Sequence, residues 1–166
     1  MSRTGPDRIM KYRELRIDEY ELLKDFLYEA IFIPEEVEAP ERSIIELPEL
    51  ALYYDGFGEG SADHCMVADD DGRVVGAVWS RVMDDYGHID DETPSLAMSV
   101  LKEYRNKGIG TQLLREFLLF LKKQGCRRAS LSVQKANYAA GMYEKAGFVI
   151  IDENDEEYLM VRELQR

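Results

Sequence analysis

The sequence predicts a mixed α/β fold, and three observations carry that prediction. A helical spacing of apolar residues follows a glycine-rich turn in "YRNKGIGTQLLREFLLFLKK", two strand-like runs meet at "DDDG", and strand and helix patterns succeed one another with no repeat or low-complexity tract. With 166 residues, 45% of them hydrophobic, the chain can bury one core but is short for two. Residues 1–166 therefore read as one domain, with residues 1–9 as a candidate disordered lead.

The elements follow in chain order. Met10 to Leu15 reads as a short strand. Asp18 and Glu21, three apart, form a capping box ahead of Leu22, Leu23, Phe26, Leu27 and Ala30, the apolar face of a first helix that Pro34 closes. "APERSIIELPELALYYDGFG" mixes proline breaks with helical spacing at Leu47, Leu50, Ala51 and Tyr54 and predicts a second helix or helical loop; its aromatic residues either pack in the core or wall a substrate. "DHCMVAD" and "RVVGAVWSRVM" form an antiparallel hairpin about the Asp/Gly turn. "SLAMSV" is a strand after an acidic loop. Thr111 to Gln124 is the strongest helix, with Ile109, Leu113, Leu114, Phe117, Leu118 and Leu121 on one face and Gly125 as its stop. "RRASLSV" is a strand, Ala139 to Ala146 a short helix ended by Gly147, and "FVIIDE" and "YLMVREL" two closing strands.

Charge and cysteine usage exclude several functions. A formal net charge of -12 disfavours nucleic acid, since no face collects the basic residues needed to meet a phosphate backbone. The acidic runs "DDDG", "DDETP" and "IDENDEEY" read as solvated turns before they read as a field for a cationic substrate. Cys65 and Cys126 form no CxxC pair, and His64 and His88 lack ligand spacing, so neither a metal nor a disulfide framework is expected. The N-terminal stretch is polar rather than signal-like, and no apolar run is long enough for a bilayer, so the expectation is a cytoplasmic protein with no membrane partner.

The chemistry concentrates in "YRNKGIG". A helix start presents N–H groups that no intrahelical carbonyl can accept, and the macrodipole adds partial positive charge. Gly108 and Gly110 leave the backbone open to an oxygen-rich group, with Arg105 and Lys107 at the rim, so the turn looks built to cradle a diphosphate. A Walker loop would place its lysine directly after the last glycine, whereas Lys107 precedes Gly108; a dinucleotide fingerprint would place a small residue where Leu113 stands. The remaining alternative is a tight strand-to-helix turn without a ligand, which accounts for the glycines but not for the basic residues.

Further along, "QKANYAAGMYEKAGF" puts Asn137 at a helix start, Tyr143 near its end and Gly147-Phe148 at its exit. With this stretch the chain resembles the GCN5-related N-acetyltransferases, over most of its length from about Tyr12. Arg105-x-x-Gly108-x-Gly110 is similar to that family's acetyl-CoA pyrophosphate signature, Asn137 with Tyr143, Gly147 and Phe148 to its second cofactor motif, and "RVVGAVWSRV" to its central hairpin strand.

The resemblance implies a mixed sheet of about six to seven strands, splayed between the fourth and fifth and flanked by about four helices. It implies acetyl-CoA as cosubstrate, with pantetheine in the splay on the backbone of Met98 and Val100. The pyrophosphate would lie on Arg105 and the turn of Asn106, Lys107, Gly108, Ile109, Gly110 and Thr111, and Asn137 would hold pantetheine or position the second strand. Tyr143 would lie beside the sulfur as general acid. The acidic loop offers Asp90, Asp91 and Glu92 as base, Glu92 being the choice, with Pro94 near the position at which some relatives carry glutamate. The implied activity is acetyl transfer to a primary amine of a small molecule, peptide or protein through a tetrahedral intermediate, and a homodimer is plausible by the same resemblance. The alternative is a non-catalytic acyl-CoA-binding or sensing module of the same fold.

Overall fold

The computed structural model describes residues 9–165. Apart from Ile9, the lead expected to be disordered lies outside them. Seven strands, β1 (Met10–Glu14), β2 (His64–Asp70), β3 (Arg73–Arg81), β4 (Ser95–Val100), β5 (Arg128–Gln134), β6 (Val149–Glu153) and β7 (Glu157–Glu163), form one sheet in the order β1-β2-β3-β4-β5-β7-β6. The hairpin β2–β3 turns on Asp71 and Gly72, both at positive φ (51° and 100°), the geometry that matches the twist of the flanking strands. All neighbours are antiparallel except β4 and β5, which run parallel and pair only at Ser95 and Ser130. The expected splay is therefore present.

The helices are α1 (Leu22–Ala30), α2 (Pro48–Ala51), α3 (Ile109–Lys123) and α4 (Ala139–Lys145). Each sheet face is covered by a different set. Leu113, Leu114, Phe117 and Leu121 of α3 pack with Val78, Leu131 and Met160, together with Tyr143 of α4. Leu23, Phe26 and Leu27 of α1 pack on the other face with Val67, Ala77 and Trp79. The strand period of two sorts β4 and β5 accordingly: Leu96, Ala129, Leu131 and Val133 face α3 and α4, while Ser95, Ser99, Ser130 and Ser132 face the opposite way. Ser99 Oγ donates to the Phe26 carbonyl of α1 at 2.6 Å. No helix among the described residues is long and apolar enough to cross a membrane.

One local expectation needs correction. The capping acid at the first helix is Glu19 rather than Glu21: its carboxylate accepts from Arg16 N–H at 2.9 Å, and a 3-10 turn, Ile17–Glu19, precedes α1. Asp18 lies inside that turn, and Glu21 flanks α1 without a side-chain cap bond. The second helix has only four residues, because Pro48 starts it and irregular turns follow Ala51. Strong tethers fix those turns to β3 nonetheless: Trp79 Nε1–H donates to Tyr53 O at 2.9 Å, and Arg81 Nη1 donates to the carbonyls of Leu52 and Asp55 at 2.9 and 2.7 Å.

Glu19 also holds β1. Arg13 reaches both of its oxygens at 2.9 Å and Asp69 at 3.0 Å, and the Arg13 hydrogen bond pulls the Glu19 carboxyl down to about 2. A carboxyl whose folded pKa lies below its unfolded value stabilises the fold above the ordinary carboxylate range and loses that contribution as pH falls toward the folded pKa. Acid titration followed by circular dichroism should show stability declining from the ordinary 4.5 toward about 2, and Arg13→Met should flatten that decline and cost about 2 kcal/mol at neutral pH.

Candidate active site

The turn before α3 forms an open cradle of amides. Asn106 and Gly108 both take positive φ, 62° and 82°, and Gly108 is the residue that enters the helix. Among the described residues, the N–H groups from Asn106 to Thr111 find no carbonyl or side-chain acceptor, as an anion site at a helix start requires. Gly108 faces open space: a Cβ built there meets nothing within 4 Å. Gly110 instead packs closely, since its Cβ would lie 3.6 Å from Met142 Sδ and 3.8 Å from Met98 Cε, which sets the cradle against β4. Buried Ile109 anchors the helix start in the core.

The two basic residues at the rim differ. Arg105 is tied into the fold: Nε donates to Val100 O at 2.9 Å, and Nη2 reaches the Glu29 carbonyl at 3.3 Å and carboxylate at 3.2 Å. Its guanidinium braces the end of β4 against α1 instead of standing as a mobile charge. Lys107 is exposed, 5.6 Å above the Tyr104 ring.

Where the sheet opens, main-chain groups point into the gap. Leu101 N–H bonds to Val75 O on β3, so strand alternation turns the main chain of Leu96, Met98 and Val100 toward β5. Ser130 N–H closes the gap on Pro94 O at 3.0 Å, and the same alternation aims Ser132 N–H back at β4, beyond the last paired rung. The main chain of Met98 and Val100 thus faces the gap, with the Val100 carbonyl already accepting from Arg105.

Tyr143 is buried on α4, edge-on to Phe148 with ring centroids 5.8 Å apart. Burial pushes its phenol up to about 12. Its hydroxyl makes no hydrogen bond among the described residues. Asn137 closes the turn that leads into α4: Oδ1 accepts from Ala139 N–H at 2.9 Å. A cavity of about 910 Å³ runs between α3 and α4, lined by Thr111, Leu118, Tyr138, Met142, Lys145 and Arg162, so it reaches the cradle at Thr111 but lies beside the gap rather than in it.

The acidic loop is mostly structural. Asp90 binds Arg128 at 2.5 Å, and hydrogen bonds from Thr93 and Arg128 hold its carboxyl down near 2. Asp91 faces His88 at 3.5 Å. Glu92 is solvent-exposed, and its carboxylate has no partner among the described residues. The acid that does sit on the serine face of the sheet is Asp85, which sequence reasoning missed. It accepts from Tyr53 O–H at 2.8 Å and from Ser95 O–H at 3.1 Å, and burial raises its carboxyl above the ordinary range. Burial also raises the nearby Glu157, with Glu156 and Asp85 adding to the effect. Only the "DD" before a glycine hinted at Asp85; its partner Tyr53 lies 32 residues away.

Residues 20–148 match the Acetyltransferase (GNAT) family. Mycothiol acetyltransferase of Propionibacterium freudenreichii is 32% identical over 84 residues, 50% of this chain and 26% of that protein. The uncharacterized N-acetyltransferase YobR of Bacillus subtilis is 38% identical over 74 residues, 44% of this chain and 28% of that one. The matched stretches thus span under a third of the length of these relatives. The crystal structure of PaiA N-acetyltransferase from Thermoplasma acidophilum in complex with coenzyme A superposes with a TM-score of 0.67 at 22% identity, covering 93% of this chain and 99% of that one, a likeness of fold.

Proposed function

Because the chain belongs to the acetyltransferase (GNAT) family, we propose that it transfers an acetyl group from acetyl-CoA to a primary amine. The observation that carries this reading is the alignment of an open amide cradle with a gap in the sheet: the unpaired N–H groups from Asn106 to Thr111 adjoin Met98, whose main chain points between β4 and β5. The pyrophosphate lies on the cradle, where backbone dipoles and Lys107 meet its charge. Pantetheine follows the free edge of β4 through Met98 and Val100, which brings the thioester to Tyr143 on one side and to the serine face on the other.

Attack of a neutral amine on the thioester carbon forms the C–N bond and moves an electron pair to the carbonyl oxygen. When the carbonyl re-forms, the C–S bond breaks and sulfur takes the pair. Tyr143 O–H donates to that sulfur as charge builds. Its raised pKa, about 12, keeps the phenol protonated at neutral pH. The proton that remains in excess on nitrogen restores the balance through solvent, so the products are an amide and a thiol.

Calorimetric titration with CoA, paired with thiol release from acetyl-CoA and primary amines, tests the reading. Binding with amine-dependent release is the expected result. Absence of binding would remove it, and binding without release on any amine would identify a cofactor-sensing module. Gly108→Val places a branched side chain at φ 82° over the cradle. It should weaken CoA binding by about tenfold or more, equivalent to about 1.4 kcal/mol, with a backbone penalty of about 1–2 kcal/mol in stability.

A further inference from the structure

Resting on that reading, we propose that Asp85 seats the acceptor as its ammonium form and takes the proton that frees the nitrogen lone pair. Most other well-buried acids of this fold are paired with a cation: Asp63 with Arg81, Glu19 and Asp69 with Arg13. Asp85 is held by two hydroxyls, Tyr53 at 2.8 Å and Ser95 at 3.1 Å, and no Lys, Arg or His stands within ion-pair distance among the described residues. A partly buried carboxylate without a cation has the charge to receive one.

Its place suits the reaction. Ser95 is the residue at which β4 and β5 part, and its side chain lies on the face opposite the cradle. An acceptor bound there meets the thioester from the side away from the pyrophosphate. Gly87 supplies an independent observation. Its φ is outside the left-handed region, so its backbone does not demand glycine. A Cβ there would nevertheless lie 3.3 Å from Asp85 Oδ2, from Ser132 N and from Ser95 Cβ. The missing side chain lets this loop pack directly on the start of β4 and on the gap-facing amide of β5, which holds the Asp85 carboxylate beside the point where the strands part.

The groups that face Asp85 are Tyr53 from the segment after α2, Ser95 from β4, the Gly87 N–H within its own loop, and Glu157 from β7. Burial raises its proton affinity, while the hydroxyl and amide donors oppose that rise. The negative Glu157 favours a positively charged acceptor over a neutral one. In the reaction, R–NH3+ gives one proton to Asp85, and the freed pair forms the C–N bond. The C–S bond then breaks toward sulfur, the second nitrogen proton ends on sulfur by way of Tyr143 and solvent, and Asp85 releases its proton to water.

The test measures thiol release from acetyl-CoA with n-butylamine, putrescine and phenethylamine as a function of pH, for wild type, Asp85→Asn and Tyr53→Phe, with CoA affinity and melting temperature in parallel. Asp85→Asn should lower kcat/KM about a hundredfold at neutral pH while CoA binding is retained. Its rate should climb about tenfold per pH unit toward the amine's own pKa of about 10, where wild type levels off. Tyr53→Phe removes a donor that stabilises the carboxylate, so the wild-type rising limb should move to higher pH; this arm stands even if the asparagine variant fails to fold. Equal profiles for wild type and Asp85→Asn, or an unmoved limb in Tyr53→Phe, overturn the assignment of Asp85 and leave acetyl transfer intact. Wild type that binds CoA but releases no thiol overturns acetyl transfer, and this assignment with it.

Discussion

Replacing Tyr143 with phenylalanine should lower kcat for acetyl transfer by about a thousandfold, within the range of a lost general acid, while CoA affinity stays within about twofold. The phenol oxygen is the single atom removed, and it makes no hydrogen bond among the described residues, so no partner is orphaned. The ring remains edge-on to Phe148 in the same buried site. The substitution gives up no protein hydrogen bond and keeps the ring's packing, so the melting temperature should hold. Loss of rate with retained stability and binding separates proton donation from packing. Equal rates for the two proteins would return Tyr143 to the core.

The second large effect falls on stability. Phe117→Ala should destabilise the fold by about 3–5 kcal/mol, measured as a shift in the denaturant midpoint without a change in slope. Phe117 has 0% exposure and lies at the centre of the helix that carries the cradle, stacked on Phe120 at 6.2 Å between centroids. The surrounding Leu113, Leu114 and Leu121 are equally enclosed, so the cavity has little room to collapse. A domain with a total stability of about 5–15 kcal/mol loses a large share of it. CoA should then raise the midpoint of this variant as it does for wild type, because the cradle residues themselves are unchanged.

What could be read from the sequence follows from how local each signal is. The Asp71-Gly72 turn and the apolar stripe of α3 depend on neighbours within a few residues, and both elements stand where the pattern put them. The helix begins at Ile109, two residues before the expected Thr111, because the left-handed Gly108 starts the helical path. Glu19 was missed as a cap because its competitor Glu21 had the better spacing, whereas Arg13 on β1 decides which acid is held. The segment before β2 was the least legible, since its order derives from Trp79 and Arg81 on β3 rather than from its own periodicity. Asp85 failed for the same reason in sharper form. A carboxylate's role is set by burial and by partners from three other elements, none of which a spacing rule can join.

One further consequence follows from the sheet's parallel neighbours. Strands β1 to β4 and strands β5 to β7 share a single ladder pair, Ser95 with Ser130, so beyond it the halves are joined by flanking helices and by the loop that carries Gly87. Such a join is stiff at one end and compliant at the other, like shears held at the rivet. A long thin molecule wedged into the blades would complete the missing rungs from outside the chain, and its departure would hand the compliance back.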